Sequence, residues 1–255
     1  MKKQLIQYIF VIRELVSREI KRKYSRSFLG VLWSVLSPLF NMIVMSLIFT
    51  TIFRNEIENF PIYYLTGIIL WTLFSGATNA AMTSLIDNKN MLLKVKLPTA
   101  IFPLARCCTA LANLGYSLIA YIIMLFVFRV KLNVYILLLP MVVILLFLFT
   151  FGIGKILSIL YVFFGDIQHL YSVILTLWMF CSAIFYPVDR VEGVMEFVIM
   201  SNPIYIFIAA TRRLVMDAMP PTPREWAMML LWSFGVYLAG TIYFDKFQNR
   251  VMQHI

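Results

Sequence analysis

The sequence predicts an all-α integral membrane protein. It should have six transmembrane helices, an amphipathic interfacial helix at the N-terminus, and a re-entrant external helical hairpin between spans five and six. Three observations predict this. Of 255 residues, 62% are hydrophobic and 13% charged, against roughly 45–50% and about 25% in soluble domains. Six uncharged runs, at 31–53, 60–86, 107–128, 132–154, 170–188 and 226–244, are each 19 to 27 residues long. A helix rising about 1.5 Å per residue crosses the hydrocarbon core in about 20 residues, so each run is long enough to span. Finally, the net charge of +10 falls on one set of connections only.

In chain order, residues 5–20 come first. Leu5, Ile9, Ile12, Val16 and Ile20 mark one helical face, and Gln7, Glu14, Arg18 and Lys21 the other. The stretch is too short and too charged to span, and it suits a helix lying in the interface plane. Arg13 and Glu14 interrupt its apolar residues and no small-residue cleavage site follows, so it does not read as a cleavable signal. A basic collar (Arg18, Lys21, Arg22, Lys23, Arg26) then leads through Ser27, Phe28, Leu29 and Gly30 into the first span.

Between spans two and three, residues 87–98 are polar with Met91, Leu92, Leu93 and Val95 embedded, which predicts a short helix stopped at Pro98 that docks on something cytoplasmic. Residues 156–165 extend the fourth span past Lys155. That lysine should lie near a polar boundary or snorkel, since at a helix centre it costs about 2.5–3.5 kcal/mol. A seventh apolar run, 197–211, is broken by Asn202-Pro203 and is too short for a straight crossing, so it suits the re-entrant hairpin.

Six spans put both termini on one side. The segments on that side carry +6 (2–26), +3 (87–106), 0 (Lys155 with Asp166) and +1 (245–250), while the opposite connections sum to zero. The positive-inside rule makes the charged side cytoplasmic, although Arg129 and Lys131 run against it locally. The basic excess is thus a topology signal facing lipid headgroups, and no nucleic-acid partner is expected. No internal repeat is evident, so inverted-repeat carrier architecture is not supported.

Candidates for chemistry are few. The string Gly152-Ile153-Gly154-Lys155-Ile156 lacks the glycine spacing and the Ser/Thr of a phosphate-cradling loop, so ATP, if it drives this chain, is hydrolysed elsewhere. His169 and His254 are far apart, and Cys107, Cys108 and Cys181 lie in apolar runs, so no metal site and no disulfide framework is expected. The spans hold no acids, which argues against a proton-coupled carrier. Aromatics make up 16% of the chain. Trp33, Tyr63, Tyr64, Trp71, Phe74, Trp178, Phe185 and Tyr186 are candidates to line a pathway on which sugar C–H faces would stack, or else an interfacial belt.

The stretch from Arg22 to Pro38 (Arg-Lys-Tyr-Ser-Arg-Ser-Phe-Leu-Gly-Val-Leu-Trp-Ser-Val-Leu-Ser-Pro) resembles the start of the membrane subunit of ABC-2 type polysaccharide exporters. Further matches follow in order: Gly67 with Trp71; residues 88–98; Asp166-Ile167; Phe185-Tyr186-Pro187; and Asn202-Pro203 followed by Arg212. Ser37 stands where the family often has asparagine, Gly165 where arginine is usual, and Ser182-Ala183-Ile184 where Ser-Pro-Val is more typical.

The resemblance implies a single ABC-2 type transmembrane domain over 1–255, with an interfacial helix and gate loop at 1–30, the bundle at 31–246 and a tail at 247–255. It implies a homodimer in the bacterial plasma (inner) membrane with two copies of a cytoplasmic ABC ATPase that binds the ATP and Mg, this chain holding no cofactor. The cargo would be lipid-linked polysaccharide of O-antigen, capsule or teichoic acid type. Arg22, Lys23, Arg26, Ser27, Leu29 and Gly30 would meet the anionic headgroup, and spans one, two and five would line the channel. Lys89, Met91, Leu92, Leu93 and Asp166 would couple to the ATPase. The alternatives are an ABC-2 exporter of a drug or small lipid, a membrane-embedded lipid-linked sugar transferase using Asp189, Glu192 and Glu196, and a non-catalytic scaffold. Those three acids otherwise read as one solvated helix face.

Overall fold

A single long helix, α3 (Phe60–Asp87), is the axis on which the others pack. Before it come α1 (Lys2–Tyr24) and α2 (Leu32–Phe53), and after it α4 (Lys89–Lys94), α5 (Ile101–Val127) and α6 (Leu139–Phe163). The chain ends with α7 (Ile167–Phe180), α8 (Val194–Ser201), α9 (Pro203–Val215) and α10 (Pro223–His254). The computed structural model describes residues 2–25, 30, 32–53, 57, 59–95, 97–131 and 133–254.

Composition explains why α3 is central. Lipid tails are as apolar as leucine, so helices in a bilayer associate through close packing at small residues. In α3, Ala77 and Ala81 are buried, and a Cβ placed on Gly154 of α6 would lie 2.9 Å from that of Ala81. The α6–α10 crossing is tighter still: a Cβ on Gly152 would meet the carbonyl oxygen of Val236 at 2.6 Å, so only glycine allows this approach. In the spanning window of α3, 67% of residues are buried, against 6% in α2. Helix α2 instead exposes Leu32, Phe40, Val44 and Leu47.

Among the described residues, five helices are long and apolar enough to span: α2, α3, α5, α6 with its preceding 3-10 turn, and α10. The pair α8–α9, bent by 76° at Asn202, makes a sixth if counted as one broken span. The Asn202-Pro203 break therefore lies where the sequence places it. Pro203 opens α9, and Asn202 caps it by accepting from the Ile204 amide at 2.9 Å.

The fifth run, 170–188, is not one helix. Helix α7 has 14 residues, about 21 Å at 1.5 Å per residue, and stops at Phe180. Beyond it the chain turns, with Ala183 in the left-handed region at φ 46°. Asn202 holds this turn by donating to the Cys181 carbonyl at 2.9 Å and to Ser182 Oγ at 3.0 Å.

Two further expectations are corrected. Lys155 is buried, not snorkelling: its ammonium donates to Thr241 Oγ1 at 2.8 Å and lies 4.5 Å from the ring centroids of Phe151 and Tyr237. The two rings supply a cation–π environment that offsets desolvation inside the α6–α10 contact. On α1, Ile12 and Val16 pack inward as the sequence predicts, together with Tyr8, Val11 and Leu15, but Ile9 of the expected face is exposed with Ile6 and Phe10. That face continues to Glu19, whose burial an apolar-face count cannot anticipate.

Both chain ends gather at one pole. Leu15 of α1, Leu92 of α4, Ile101 and Phe102 of α5, Ile159 of α6, and Phe244 and Val251 of α10 form one apolar cluster. The start of α3, the turns after α5 and α7, helix α9 and the start of α10 meet at the other pole around a cavity of about 800 Å³.

Candidate functional site

At the pole holding the chain ends, a cavity of about 460 Å³ opens between α1, α3 and α5. Arg22 and Lys23, from the last turn of α1, and Arg106 of α5 line it, with Glu19 as the one carboxylate among the lining residues. Basic residues in a final turn also complement the partial negative charge of the helix C-terminus. Thr72, Thr109, Asn113 and Ser117 add neutral hydrogen-bonding groups to the wall. Of the headgroup candidates, Arg22 and Lys23 therefore do meet a polar cavity. Arg26, Ser27 and Leu29 lie outside the described residues, and Gly30 takes a left-handed φ of 45° just before α2.

The two sides of that turn are pinned together. Tyr24 Oη is hydrogen-bonded to Ser34 Oγ of α2 and donates to Asn113 Oδ1 of α5 at 3.1 Å. Ser117 Oγ donates to the Ser34 carbonyl at 3.2 Å. A polar seam thus joins the end of α1, the start of α2 and the middle of α5.

Below this seam lies a charge network that the sequence did not reveal. Arg106 Nη1 meets Glu19 Oε1 at 2.8 Å and its Nη2 meets Asp87 Oδ2 at 2.7 Å. Thr109 Oγ1 donates to the other oxygen of Glu19 at 3.1 Å, and Arg18 Nη2 donates to Asn88 Oδ1 at 2.7 Å. Helix α1 is thereby tied to α5 and to the junction between α3 and α4.

Helix α4 forms, as its sequence predicts, but its residues divide. Leu92 is buried in the apolar cluster at the pole of the chain ends, so it holds α4 to the bundle. Leu93, Lys89 and Lys94 are exposed and Met91 is half-buried. A groove of about 440 Å³ runs beside α4, lined by Phe10, Glu14, Leu15 and Lys21 of α1 and by Met91. Asp166 is exposed just before α7.

The aromatic candidates also divide. Tyr64, Trp71, Phe74 and Phe185 are buried in the chain's own interior. Phe74 packs edge-on against Trp178 at 5.0 Å and stacks near Phe149 at 5.8 Å, while Phe185 contacts Tyr64 and Phe180 at 5.8 and 5.9 Å. Such pairs stabilise by about 0.5–1.5 kcal/mol beyond the area they bury. Trp33 is exposed, and Tyr63, Trp178 and Tyr186 are half-buried. Trp178 Nε1 donates to Asn202 Oδ1 at 2.8 Å and Tyr63 Oη to the Tyr186 carbonyl at 2.8 Å, so both serve the external turns.

At the pole opposite the chain ends Arg212 is the central residue. Buried, it donates to the carbonyls of Tyr63, Ala183 and Ile184 at 3.0–3.3 Å and lies face-on to the Tyr63 ring at 3.3 Å. Gly67 leaves the space, since a Cβ there would meet Arg212 Nη2 at 3.1 Å. Arg129 and Lys131, the pair that runs against the charge rule, line the cavity at this pole with Arg213, Asp189, Asp217 and Glu225. Asp189 stands in a 3-10 turn and Glu196 on α8, so these acids and Glu192 do not share one helix face. No metal-binding group of three or more acid, histidine or cysteine side chains occurs among the described residues.

A family model described as ABC-2 type transporter matches residues 11–216. The chain is 29% identical to the O-antigen export system permease protein RfbA of Myxococcus xanthus, over 99% of this chain and 98% of that one. It is 26% identical to an O-antigen export system permease protein RfbA of Klebsiella pneumoniae, over 95% and 94%. It is 24% identical to the polysialic acid transport protein KpsM of Escherichia coli, over 80% and 81%. With a family match over most of its length, and with spanning helices at five of the six runs the sequence places, this chain belongs to the ABC-2 type transporter membrane family.

Proposed function

We propose that this chain is the membrane-spanning permease subunit of an ATP-driven exporter that moves lipid-linked polysaccharide across the bacterial plasma membrane. Its likeness, over nearly the full length, to permeases named for O-antigen export carries this reading. The three-cation cavity between α1, α3 and α5 supports it, because it offers an anionic headgroup a site at the bundle edge. Basic residues near a membrane surface attract anionic lipid by about 1 kcal/mol each.

In this reading both termini are cytoplasmic and two copies of the chain assemble with two copies of a cytoplasmic ATPase, which binds ATP and Mg. Helix α4 and the neighbouring face of α1 receive the ATPase. The exposed Leu93 and the groove beside Met91 suit an apolar contact there. Motion of α4 reaches the cavity through Asp87, Arg106 and Glu19, which join the α3–α4 junction to α1.

Co-purification with an ATPase, followed by polymer-lipid-stimulated ATP hydrolysis in liposomes, tests the assignment. Stimulation is expected; an ATPase that co-purifies but ignores the polymer-lipid contradicts the cargo assignment. Changing Arg22, Lys23 and Arg26 together to Gln should lower export while leaving assembly with the ATPase intact, as read by surface polymer and pull-down. Normal surface polymer in that variant counts against a headgroup role.

A further inference from the structure

Arg106 and Glu19 are assigned no part by the motifs that mark the headgroup loop, yet both line the cavity. Arg106 spans two carboxylates on two helices, Glu19 of α1 and Asp87 at the end of α3. Its Nε is buried and has no hydrogen-bond partner among the described residues. Glu19 lines the cavity and Asp87 does not. One of the two anions on Arg106 is therefore open to exchange from the cavity, while the other holds the guanidinium in place.

A carboxylate on a guanidinium occupies the same fork that a phosphate uses, and a phosphate brings more charge and a third acceptor oxygen. The lining carries Arg22, Lys23 and Arg106 against Glu19. With Asp87 retained on Arg106 the group is still net positive, and displacing Glu19 from Arg106 leaves the cavity's cations facing the anion, which favours a phosphate of roughly −1.5 to −2 near pH 7. A displaced Glu19 is not stranded. Arg22 and Lys23 stand at i+3 and i+4 on the same helix, the spacing at which opposite charges pair. Without such a second partner, leaving a buried charge uncompensated would oppose the exchange strongly.

We propose that Arg106 is a third cation of the phosphate site and that Glu19 is an internal stand-in for the ligand, displaced from Arg106 when a phosphate or pyrophosphate group occupies the cavity. The inference rests on the headgroup reading above and adds to it a resident competitor and a further binding residue. Occupancy then releases one of the ties holding α1 to α5, while Asp87 keeps Arg106 at the α3–α4 junction.

The test uses the transporter with its ATPase in nanodiscs of zwitterionic lipid. The probes are farnesyl pyrophosphate, a prenyl pyrophosphate of short chain, and inorganic pyrophosphate. Glu19→Gln should tighten farnesyl pyrophosphate binding about tenfold, and Arg106→Gln should weaken it about tenfold or more. Glu19→Asp keeps the charge but shortens its reach, and should move binding in the same direction as Glu19→Gln. It serves if the Gln variant fails to co-purify with the ATPase. Arg22→Gln/Lys23→Gln reports on the headgroup reading alone. If that double variant weakens binding while both Glu19 variants bind as wild type or worse, the exchange is overturned and the headgroup reading stands. If wild type and the double variant bind equally poorly, both fall. Inorganic pyrophosphate binding as well as the farnesyl ester, with the same response to Glu19→Gln, supports the exchange and assigns the site to soluble phosphate in place of a lipid.

Discussion

Two arginines, one at each pole, are neutralised in opposite ways. Arg106 is held by two carboxylates on α1 and α3, whereas Arg212 is held by three backbone carbonyls and the face of Tyr63. An ion pair can trade one anion for another without losing its compensation. A cage of carbonyls has no such substitute, because each acceptor is a backbone group of a segment that must already be in place. The ion pair at the pole of the chain ends therefore permits exchange, and the carbonyl cage at the opposite pole favours fixed geometry. Arg212 fastens α9 to the start of α3 and to the turn after α7.

Substitutions sharpen or break this contrast. The largest effect should come from Arg212→Leu, which strips the donor from three carbonyls at about 1–3 kcal/mol each. In detergent the melting temperature should fall by about 10 °C, and an unchanged value would show that the cage does not hold the external turns. Next, Leu92→Asp should destabilise the fold by roughly 2–5 kcal/mol, since a buried leucine is lost and a charge is buried. Leu93→Asp should leave melting unchanged and reduce recovery of the ATPase in pull-downs; equal behaviour of the two variants would erase the distinction between packing and docking residues. A double-mutant cycle on Glu19 and Arg106 should give a coupling of about 1–3 kcal/mol, a near-zero value meaning that the ion pair does not form in the membrane. The smallest effect is expected of Ala183→Gly. Ala183 holds φ 46°, and glycine there should stabilise by about 0.5–1 kcal/mol in the same melting assay.

Much of the bundle was legible in the sequence because a membrane makes composition speak for geometry. Uncharged runs became helices, Asn202-Pro203 became a bend, and residues 87–98 became α4. Helix α7 was misjudged for a physical reason. Hydropathy reports what a segment touches, but it was hydrogen bonds from Asn202, some twenty residues away, that stabilised the turn at Cys181 and Ser182. The same holds for Lys155, whose ring partners Phe151 and Tyr237 lie on different helices. Glu19, Asp87 and Arg106 were visible only as charges in a topology count, since partners separated by 19 to 87 positions leave no periodic signal. Arg212 was in view as part of a motif, and nothing in its neighbours announced that its partners would be carbonyls. Among the aromatics, no spacing separates a ring in the core, such as Phe74, from one at the surface, such as Trp33.

The central claim is that the chain carries polymer outward. Depleting it in its host and measuring polymer by cell fractionation tests this most directly. The account predicts polymer trapped on the cytoplasmic side, restored to the surface by the wild-type chain but far less by the Arg22→Gln/Lys23→Gln/Arg26→Gln variant. Undiminished surface polymer after depletion would contradict it.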